Sequence, residues 1–318
     1  MPKESTNLER VEIIALDISI WSGETRLRPE DIRLGKGGKL PPEKVASLGS
    51  KKIIDPEDLK AFRMLKKQAE RKCEAVGIRF LGGFAVPREK TEAVALELAA
   101  IAHRFHTAVN DLLAIYEARV EEWIDQNRDF EEALRRSVIA AADVRNRFGF
   151  EYSIYRMTAA PQTGYLDHQV NRMGGRLFQE IAIAANELLS GGLSLDRAAT
   201  EEAGVSHKVL VPLMRIREKL SGLSFLDSAV QPMVKAIDDV VAQIPKKGKI
   251  RGQAYFNVLA TVLILSDPDK VKRLAAGLLS VRDVAAGPVA HGSATVGEDG
   301  EAGSDGNVPA EPATSLYF

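Results

Sequence analysis

The sequence predicts a mainly α-helical protein, with a long helical hairpin, a C-terminal helical bundle and a small mixed α/β N-terminal portion. An uninterrupted helical period across residues 89–124 predicts the hairpin, and five amphipathic segments between residues 170 and 279 predict the bundle. Short alternating runs on either side of the hairpin predict a short antiparallel sheet. We divide the chain into a mixed portion, the hairpin with a possible third strand, a helical region and an acidic tail predicted to be disordered: residues 1–86, 87–156, 157–282 and 283–318.

The composition is that of a soluble protein with an ordinary core. Of 318 residues, 45% are hydrophobic and 27% are charged, and the formal net charge is -1. The single cysteine, Cys73, excludes an intramolecular disulfide and suits a reducing compartment. The start of the chain lacks a signal-peptide layout, and no apolar run approaches the roughly 20 residues that cross a bilayer. We therefore expect a cytoplasmic protein with no membrane association.

The long helical run is the most strongly patterned stretch. Neither proline nor glycine occurs in residues 88–147, and apolar residues recur at steps of three and four. A polar run at residues 125–129, with Asp129 as N-cap and Glu132 in the capping-box position, predicts a short connection to an antiparallel second helix at residues 130–147. One continuous helix with a polar turn is the alternative. The apolar stripe consists of Val94, Leu98, Ile101, Phe105, Val109, Leu112, Tyr116, Val120 and Trp123.

The two arms of this hairpin differ in length, which leaves part of the stripe without a sequential partner. The uncovered part is residues 94–105, and each buried apolar side chain there would contribute roughly 1.5–3 kcal/mol. Either the later helices cover it, or copies of the chain pack arm to arm. We favour the second interpretation and expect a homo-oligomer.

The remaining elements follow from alternation, caps and breakers. Residues 14–20, 78–81 and 148–154 alternate as strands, and Gly82-Gly83 permits a tight bend after the second. The hairpin would then lie between two strands of one sheet, although a frayed helix end near Gly149 is the alternative. One helix is predicted to begin at Asp55-Pro56-Glu57 and to end near Gly77, and Leu40-Pro41-Pro42 can begin a short helix. Five further helices are predicted at residues 170–189, 207–220, 231–244, 252–265 and 268–279, and Asp267 is the N-cap of the last one.

No constellation of catalytic or metal-ligating residues stands out, so we expect neither enzymatic activity nor a cofactor. His103 and His106 lie one turn apart on the long helix without a matching second ligand pair, which favours a solvated helix side over a metal site. Cys73 falls on an apolar helix face and is expected in the core. The run Gly35-Lys36-Gly37-Gly38-Lys39 lacks the Ser or Thr of a phosphate loop, so we interpret it as a surface loop.

A compact basic loop between two helices is the first candidate contact surface. Its cations, Lys246, Lys247, Lys249 and Arg251, could bind nucleic-acid phosphates or an acidic partner. The loop contains no aromatic residue and has no equally compact companion patch. A solvated loop is therefore the alternative.

The acidic tail carries the second candidate contact. After residue 282 there is no Lys or Arg, and the sequence finishes with the apolar residues Leu316, Tyr317 and Phe318. We expect this tip to dock on the body of the chain or on a partner, with an inert end as the alternative. The acidic residues of the tail are Asp283, Glu298, Asp299, Glu301, Asp305 and Glu311.

Several short runs, taken together, carry a family resemblance. They are Ile20-Trp21-Ser22-Gly23, Leu40-Pro41-Pro42, residues 46–52, Arg79-Phe80-Leu81-Gly82-Gly83 with Pro87, and Trp123-Ile124. With these runs the chain resembles an uncharacterised bacterial family catalogued as domain of unknown function number 3150. The resemblance is dense over residues 21–150, thin afterwards, and supplies no active-site residue. Trp21, Gly23, Arg79, Gly82 and Gly83 are the positions we single out from it as structural.

The resemblance also implies a functional context. Proteins similar to this one are typically encoded on integrative elements, plasmids and phages, beside a MoxR-type ATPase and a protein with a von Willebrand A-type domain. This context implies a structural or adaptor protein of such an assembly. The main rival is a DNA-associated accessory protein that uses the basic loop, and an enzyme with an unfamiliar site is a remote third reading.

Overall fold

The computed structural model describes residues 8–32, 47–157, 164–191, 193 and 204–285. These residues belong to one compact unit that spans Met1–Ala286. Three sequence predictions lie outside the described residues: the glycine- and lysine-rich loop at 35–39, the helix at Leu40-Pro41-Pro42, and the tail from residue 286 onwards with its tip Leu316, Tyr317 and Phe318. The first three residues of the predicted tail, 283–285, are instead helical and belong to Val281–Ala285.

A four-stranded antiparallel sheet organises the fold. Its strands run in the order β4-β5-β1-β6, and β1 pairs with both β5 and β6. The hairpin region therefore lies between two strands of one sheet, as predicted, and residues 149–155 form a strand rather than a frayed helix end. Two short strands that the sequence did not reveal, β2 and β3, pair with each other. The bounds are β1 Val11–Ser19, β2 Glu24–Arg26, β3 Ser50–Lys52, β4 Ile78–Phe80, β5 Gly83–Pro87 and β6 Gly149–Tyr155.

Ten α-helices occur in the part of the chain that the structure describes, which confirms the mainly α fold class. Two of the three N-caps that the sequence predicted form their hydrogen bonds, whereas the third, Asp129, caps no helix. Asp55 accepts a hydrogen bond from the Glu57 N–H just before the first helix, and Asp267 does the same for Asp269. The helices are α1 Lys60–Val76, α2 Arg88–Gln126, α3 Glu131–Arg135, α4 Ala141–Arg145, α5 Gly164–Ser190, α6 Leu210–Gly222, α7 Val230–Ala242, α8 Gly252–Leu265, α9 Pro268–Ala275 and α10 Val281–Ala285.

The second arm of the hairpin differs from the sequence prediction of one helix across residues 130–147. Only α3 and α4, of five residues each, follow the 39-residue α2. Between them, Val138 and Ile139 are β-branched side chains, which lose χ1 freedom in a helix. The Tyr116 hydroxyl donates a 3.0 Å hydrogen bond to the Ile139 carbonyl, which satisfies that carbonyl outside a helix.

The sheet separates two hydrophobic cores, because successive side chains of a strand point to opposite faces. Ile13 of β1 and Ala85 of β5 lie in the core formed with α5 to α9. Ile14 of β1 and Phe84 of β5 lie in the other core, which α1 and α2 build. We call these the bundle core and the arm core.

The arm core overturns our reason for expecting arm-to-arm self-association. Val94, Leu98, Ile101 and Phe105 are each at most 5% exposed within the single chain. They are covered by α1, as in the contact between the Phe62 and Phe105 rings at 5.3 Å, and by the sheet. Helix α1 precedes the arm in the chain and was not among the partners expected from the sequence, which were the second arm, the later helices and another copy of the chain.

Candidate functional site

A large cavity among the described residues lies at the C-terminal end of α2. It has a volume of about 1230 Å³, and its walls come from the segment that follows β2, from β3, from the last turn of α2 and from helix α3. Trp123 forms part of the wall and donates a 3.1 Å hydrogen bond from Nε1 to the Lys52 carbonyl, which fixes β3 against α2. Phe130, at 60% exposure, stands at the rim.

A buried carboxylate occupies one wall of this cavity. The Asp31 side chain is 1% exposed and forms two ion pairs. Its Oδ2 lies 2.5 Å from Lys51 Nζ, and its Oδ1 lies 3.2 Å from Arg136 Nη2. The Arg28 N–H donates a further 2.9 Å hydrogen bond to the same carboxylate. Lys51 also donates to the Ala133 carbonyl at 2.9 Å. The cluster therefore ties β3, the turn at Asp31 and helix α3 together.

Electrostatics keep the Asp31 carboxylate ionised. Burial by itself raises the pKa of Asp31, because it penalises the charged form. The hydrogen bonds from Lys51 and Arg28 and the positive charges of Lys51 and Arg136 outweigh burial, so the pKa lies below its ordinary value. The group is a fixed anion rather than a proton donor at neutral pH.

The chemistry open to this cavity is limited by how its charges are already used. The Lys51 side chain donates to a carboxylate and to a carbonyl, so its hydrogen bonds are directed into the wall of the cavity. Arg135 pairs with Glu121 and Glu131, and Arg136 pairs with Asp31 and Glu132. No group of three or more His, Cys, Asp or Glu suited to a metal ion occurs among the described residues.

The basic loop predicted from the sequence is exposed and held in shape. Ile250 is buried and forms a two-bond bridge with Val205, with N–O distances of 2.9 and 3.1 Å. The His207 ring contacts the Pro245 carbonyl at 2.8 Å, and Gly248 has a φ of +88°. Lys246, Lys247, Lys249 and Arg251 are all exposed on this loop, and none of them pairs with an acid of the described chain.

A second basic surface, on α1, was missed in the sequence analysis. Arg63, Lys67 and Arg71 are exposed and follow one another at steps of four, so they form a straight column on the helix. None of the three forms an ion pair within the described residues. Like charges at this spacing destabilise a helix. The i, i+4 spacing of the three cations is the sequence signal that could have revealed this surface.

The other side chains that the sequence singled out have structural surroundings. Cys73 is fully buried, which confirms the predicted core position, and burial raises the pKa of its thiol to about 12. His103 and His106 are exposed on α2, on the solvated helix side that the sequence predicted.

Two of the family-like positions, Trp21 and Gly23, build the arm core. Trp21 is 2% exposed and packs edge-on against Tyr116 at 5.8 Å. Gly23 has a φ of +71°, and a Cβ there would lie 2.8 Å from Leu59 Cδ1. Any larger residue at Gly23 would therefore meet both backbone strain and a steric clash.

The three others shape the β4–β5 turn. Arg79 lies 4.8 Å above the Phe84 ring and donates to Glu74 from Nε and Nη2. Gly82 has a φ of +83°, which suits a tight turn between antiparallel strands. Gly83 packs against β1, since a Cβ there would lie 2.8 Å from the Ile14 carbonyl oxygen. None of the five positions thus presents a reactive group to the cavity.

Comparison with known proteins places the chain in a family. No curated protein and no solved structure matches it. Over the described residues, no helix combines the length and apolarity that crossing a membrane requires. The model of one family matches residues 8–267, which extends well past the region where the sequence resemblance is dense. Because this match covers most of the chain, the protein belongs to the family described as "Protein of unknown function (DUF3150)".

Proposed function

We propose that this protein is a non-enzymatic structural or adaptor subunit of an assembly encoded by a mobile genetic element. Its proposed partners are a MoxR-type ATPase and a protein with a von Willebrand A-type domain, which are the neighbours implied by the family resemblance. The observation that carries the proposal is that the family-like residues have structural positions in the fold. Trp21, Gly23 and Gly83 pack the sheet and the arm core, whereas catalysis would require some of the family-like residues to converge on a cavity.

The charged cluster of the cavity supports the same function. Asp31, Lys51 and Arg136 satisfy one another and connect three segments, which is the behaviour of a structural ion-pair network. The exposed cations of the basic loop and of α1, in contrast, have no intramolecular partner in the described chain. An adaptor needs a rigid body and exposed charges that are free to contact a partner. The ion-pair network supports the first requirement, and the exposed cations of the basic loop and of α1 support the second.

Reconstitution tests this proposal directly. The protein is mixed with the purified ATPase and von Willebrand A-type protein encoded beside it, and the mixture is analysed by size-exclusion chromatography with light scattering. We expect a complex that contains this chain, and stimulation or retargeting of ATP hydrolysis when it is added. Separate elution of all three proteins, with unchanged ATPase activity, would contradict the adaptor function.

A second candidate function, DNA association, has its own supporting observation. Two exposed groups of cations lack acidic partners: the loop of Lys246, Lys247, Lys249 and Arg251, and the α1 column of Arg63, Lys67 and Arg71. Neutralising phosphates with such cations releases counterions, which makes binding steeply salt-dependent. DNA association would therefore use sequence-independent backbone contacts rather than base readout.

A salt series on duplex DNA separates the two functions. If the loop binds phosphates, replacing its four cations by Gln reduces the slope of log K against log salt by about three to four. The matched control replaces four exposed cations that already pair with acids, namely Lys60, Arg128, Lys235 and Lys272. Equal losses in both variants, or no binding at low salt, would exclude DNA association through the loop.

A further inference from the structure

The two edge strands of the four-stranded sheet differ in how well they are protected against pairing with another strand. At one edge, β4 is three residues long, and helix α5 packs against it. Arg176 of this helix donates a 3.2 Å hydrogen bond from Nη1 to the Arg79 carbonyl of β4. A short edge covered by a helix is a common protection against pairing with another chain.

The other edge, β6, is longer, and α2 packs only on one face of it, and no side chain of the described residues bonds to its backbone. It is seven residues long and pairs with β1 over its entire length, from Gly149 to Tyr155. No described residue forms a strand on its outer side. It contains no Pro and no Lys, and Ile154 and Tyr155 are 40% and 41% exposed. A long, bare edge with exposed apolar side chains is a template for an added strand.

The side chains of β6 divide between the two faces of the sheet. Tyr152 lies on the arm-core side, where its hydroxyl donates a 3.2 Å hydrogen bond to the Ala95 carbonyl of α2. Glu151, Ser153 and Tyr155 lie opposite Asp17, Ala15 and Ile13 of β1 and point to the other face. Glu151 and Ser153 are exposed and have no side-chain partner among the described residues.

From this contrast we infer that β6 pairs with β6 of a second copy of this chain, antiparallel and centred on Ser153, to form a continuous eight-stranded sheet. A two-fold axis through Ser153 places Tyr152 opposite Ile154 of the other copy and Glu151 opposite Tyr155. The first is an aromatic and β-branched pair, which is favourable across strands. The interface lies at the sheet edge, far along the chain from the stripe of α2 that the sequence suggested.

The charges of the strand favour a second copy as the occupant. Glu151 is the only ionisable carboxylate or cation on β6, and the register keeps it about 14 Å from its symmetry mate, four residues along the strand. No like charges therefore face each other. Arg156, just beyond the strand, is already paired with Glu12 at 3.0 Å and does not repel its counterpart at the interface.

Disulfide trapping tests both the interface and its register. Residues directly opposite on antiparallel strands have Cα atoms about 4.5–5.5 Å apart, which lies within the range that a disulfide spans. In Ser153→Cys, the two new thiols meet at the two-fold axis, and we expect most of the protein to form a covalent dimer under mild oxidation. The matched control is Glu151→Cys, whose two thiols lie about 14 Å apart in this register and should not react with each other. The native Cys73 is buried, with its thiol pKa raised to about 12, so it contributes no background.

The outcomes of trapping are decisive when combined with sedimentation of the unmodified chain. We expect a monomer–dimer equilibrium that moves to larger species with concentration, and at least a tenfold weaker dimer for Ser153→Lys with unchanged circular dichroism. Equal trapping of both cysteine variants would overturn the register. A monomer at every concentration, with no trapping at position 153, would overturn the inference and leave the edge to a strand of another protein.

Discussion

The two sides of the sheet are built on different principles. On the arm-core side, α2 buries ten of its 39 residues in one stripe, and the rings of Phe62 and Phe150 pack against Phe105 of that stripe. On the bundle side, α8 buries eight of its 14 residues, on every face of the helix. A narrow stripe indicates a helix that covers one surface, whereas burial all round indicates the centre of a bundle.

Both tryptophans of the chain lie on the arm-core side. Trp21 belongs to that core, and Trp123 packs against it. Tryptophan fluorescence therefore reports on the arm core, while far-UV circular dichroism reports on all helices. The two signals distinguish one cooperative unit from two sides that unfold separately.

The largest expected effect comes from emptying a core position. Phe105→Ala removes a fully buried ring from the arm core, and Leu259→Ala removes a 3% exposed side chain from the bundle core. We expect the free energy of unfolding to fall by about 3–5 kcal/mol for Phe105→Ala and about 2–5 kcal/mol for Leu259→Ala. Urea titrations followed by both signals measure these losses.

Because β1 and β5 contribute to both cores, we expect a loss of packing in one core to destabilise the other. Leu259→Ala should lower the urea midpoint of the fluorescence transition as much as that of the circular dichroism transition. The exposed substitution Leu278→Ala, at a site 72% exposed, is the control and should change neither midpoint appreciably. Separate transitions in the Leu259→Ala variant would show that the sheet does not couple the two sides.

A smaller effect is expected from the ion-pair cluster beside the arm core. Asp31→Asn leaves the Lys51 ammonium, whose side chain is 10% exposed, without its carboxylate. Removing one partner of a buried pair leaves an uncompensated charge, and we expect a loss of about 3 kcal/mol. In the double variant Asp31→Asn, Lys51→Met, we expect part of this loss to be regained. Urea denaturation measures both variants, and a neutral Asp31→Asn would mean that the cluster does not hold β3 to α3.

Acid should act on the same cluster with a defined sign. The pKa of Asp31 is lower in the folded chain than in the unfolded chain, so its contribution to stability is complete above about pH 4 and is lost as the pH falls through the folded pKa. Each such group changes stability by at most about 1.4 kcal/mol per pH unit. The stability difference between the original chain and Asp31→Asn should therefore shrink below pH 4. A difference that stays constant from pH 6 to pH 2.5 would contradict this assignment.

The elements of the two sides differ in how well they could be predicted from the sequence. Long elements with one strong period were predictable, and α8 occupies residues 252–265 as its apolar run indicated. The strands β2 and β3 were not, because Glu-Thr-Arg and Ser-Lys-Lys contain no apolar residue and therefore show no apolar alternation, unlike the equally short β4. The Asp31–Lys51 pair was also missed, since an ion pair between residues 20 positions apart has no periodic signal. Asp55 and Asp267, in contrast, were readable because an N-cap acts on its own neighbours.

The smallest expected effect concerns the outer surface of α1, where the arm-core side faces solvent. Lys67 stands four residues from both Arg63 and Arg71 and three residues from Glu70, so Lys67→Glu makes two repulsive pairs attractive and one attractive pair repulsive. Pairs at this spacing are worth about 0.2–0.5 kcal/mol each, and one net pair changes sign, so thermal unfolding should show a gain of roughly 0.4–1 kcal/mol. The control with the same charge change is Lys235→Glu on α7, which breaks an existing pair with Asp239 and should lose stability. If Lys67→Glu is more stable and also abolishes binding to a polyanion such as heparin, the column is retained for a partner at the expense of the helix. Unchanged stability together with unchanged heparin binding would show that these three cations are independent solvated charges.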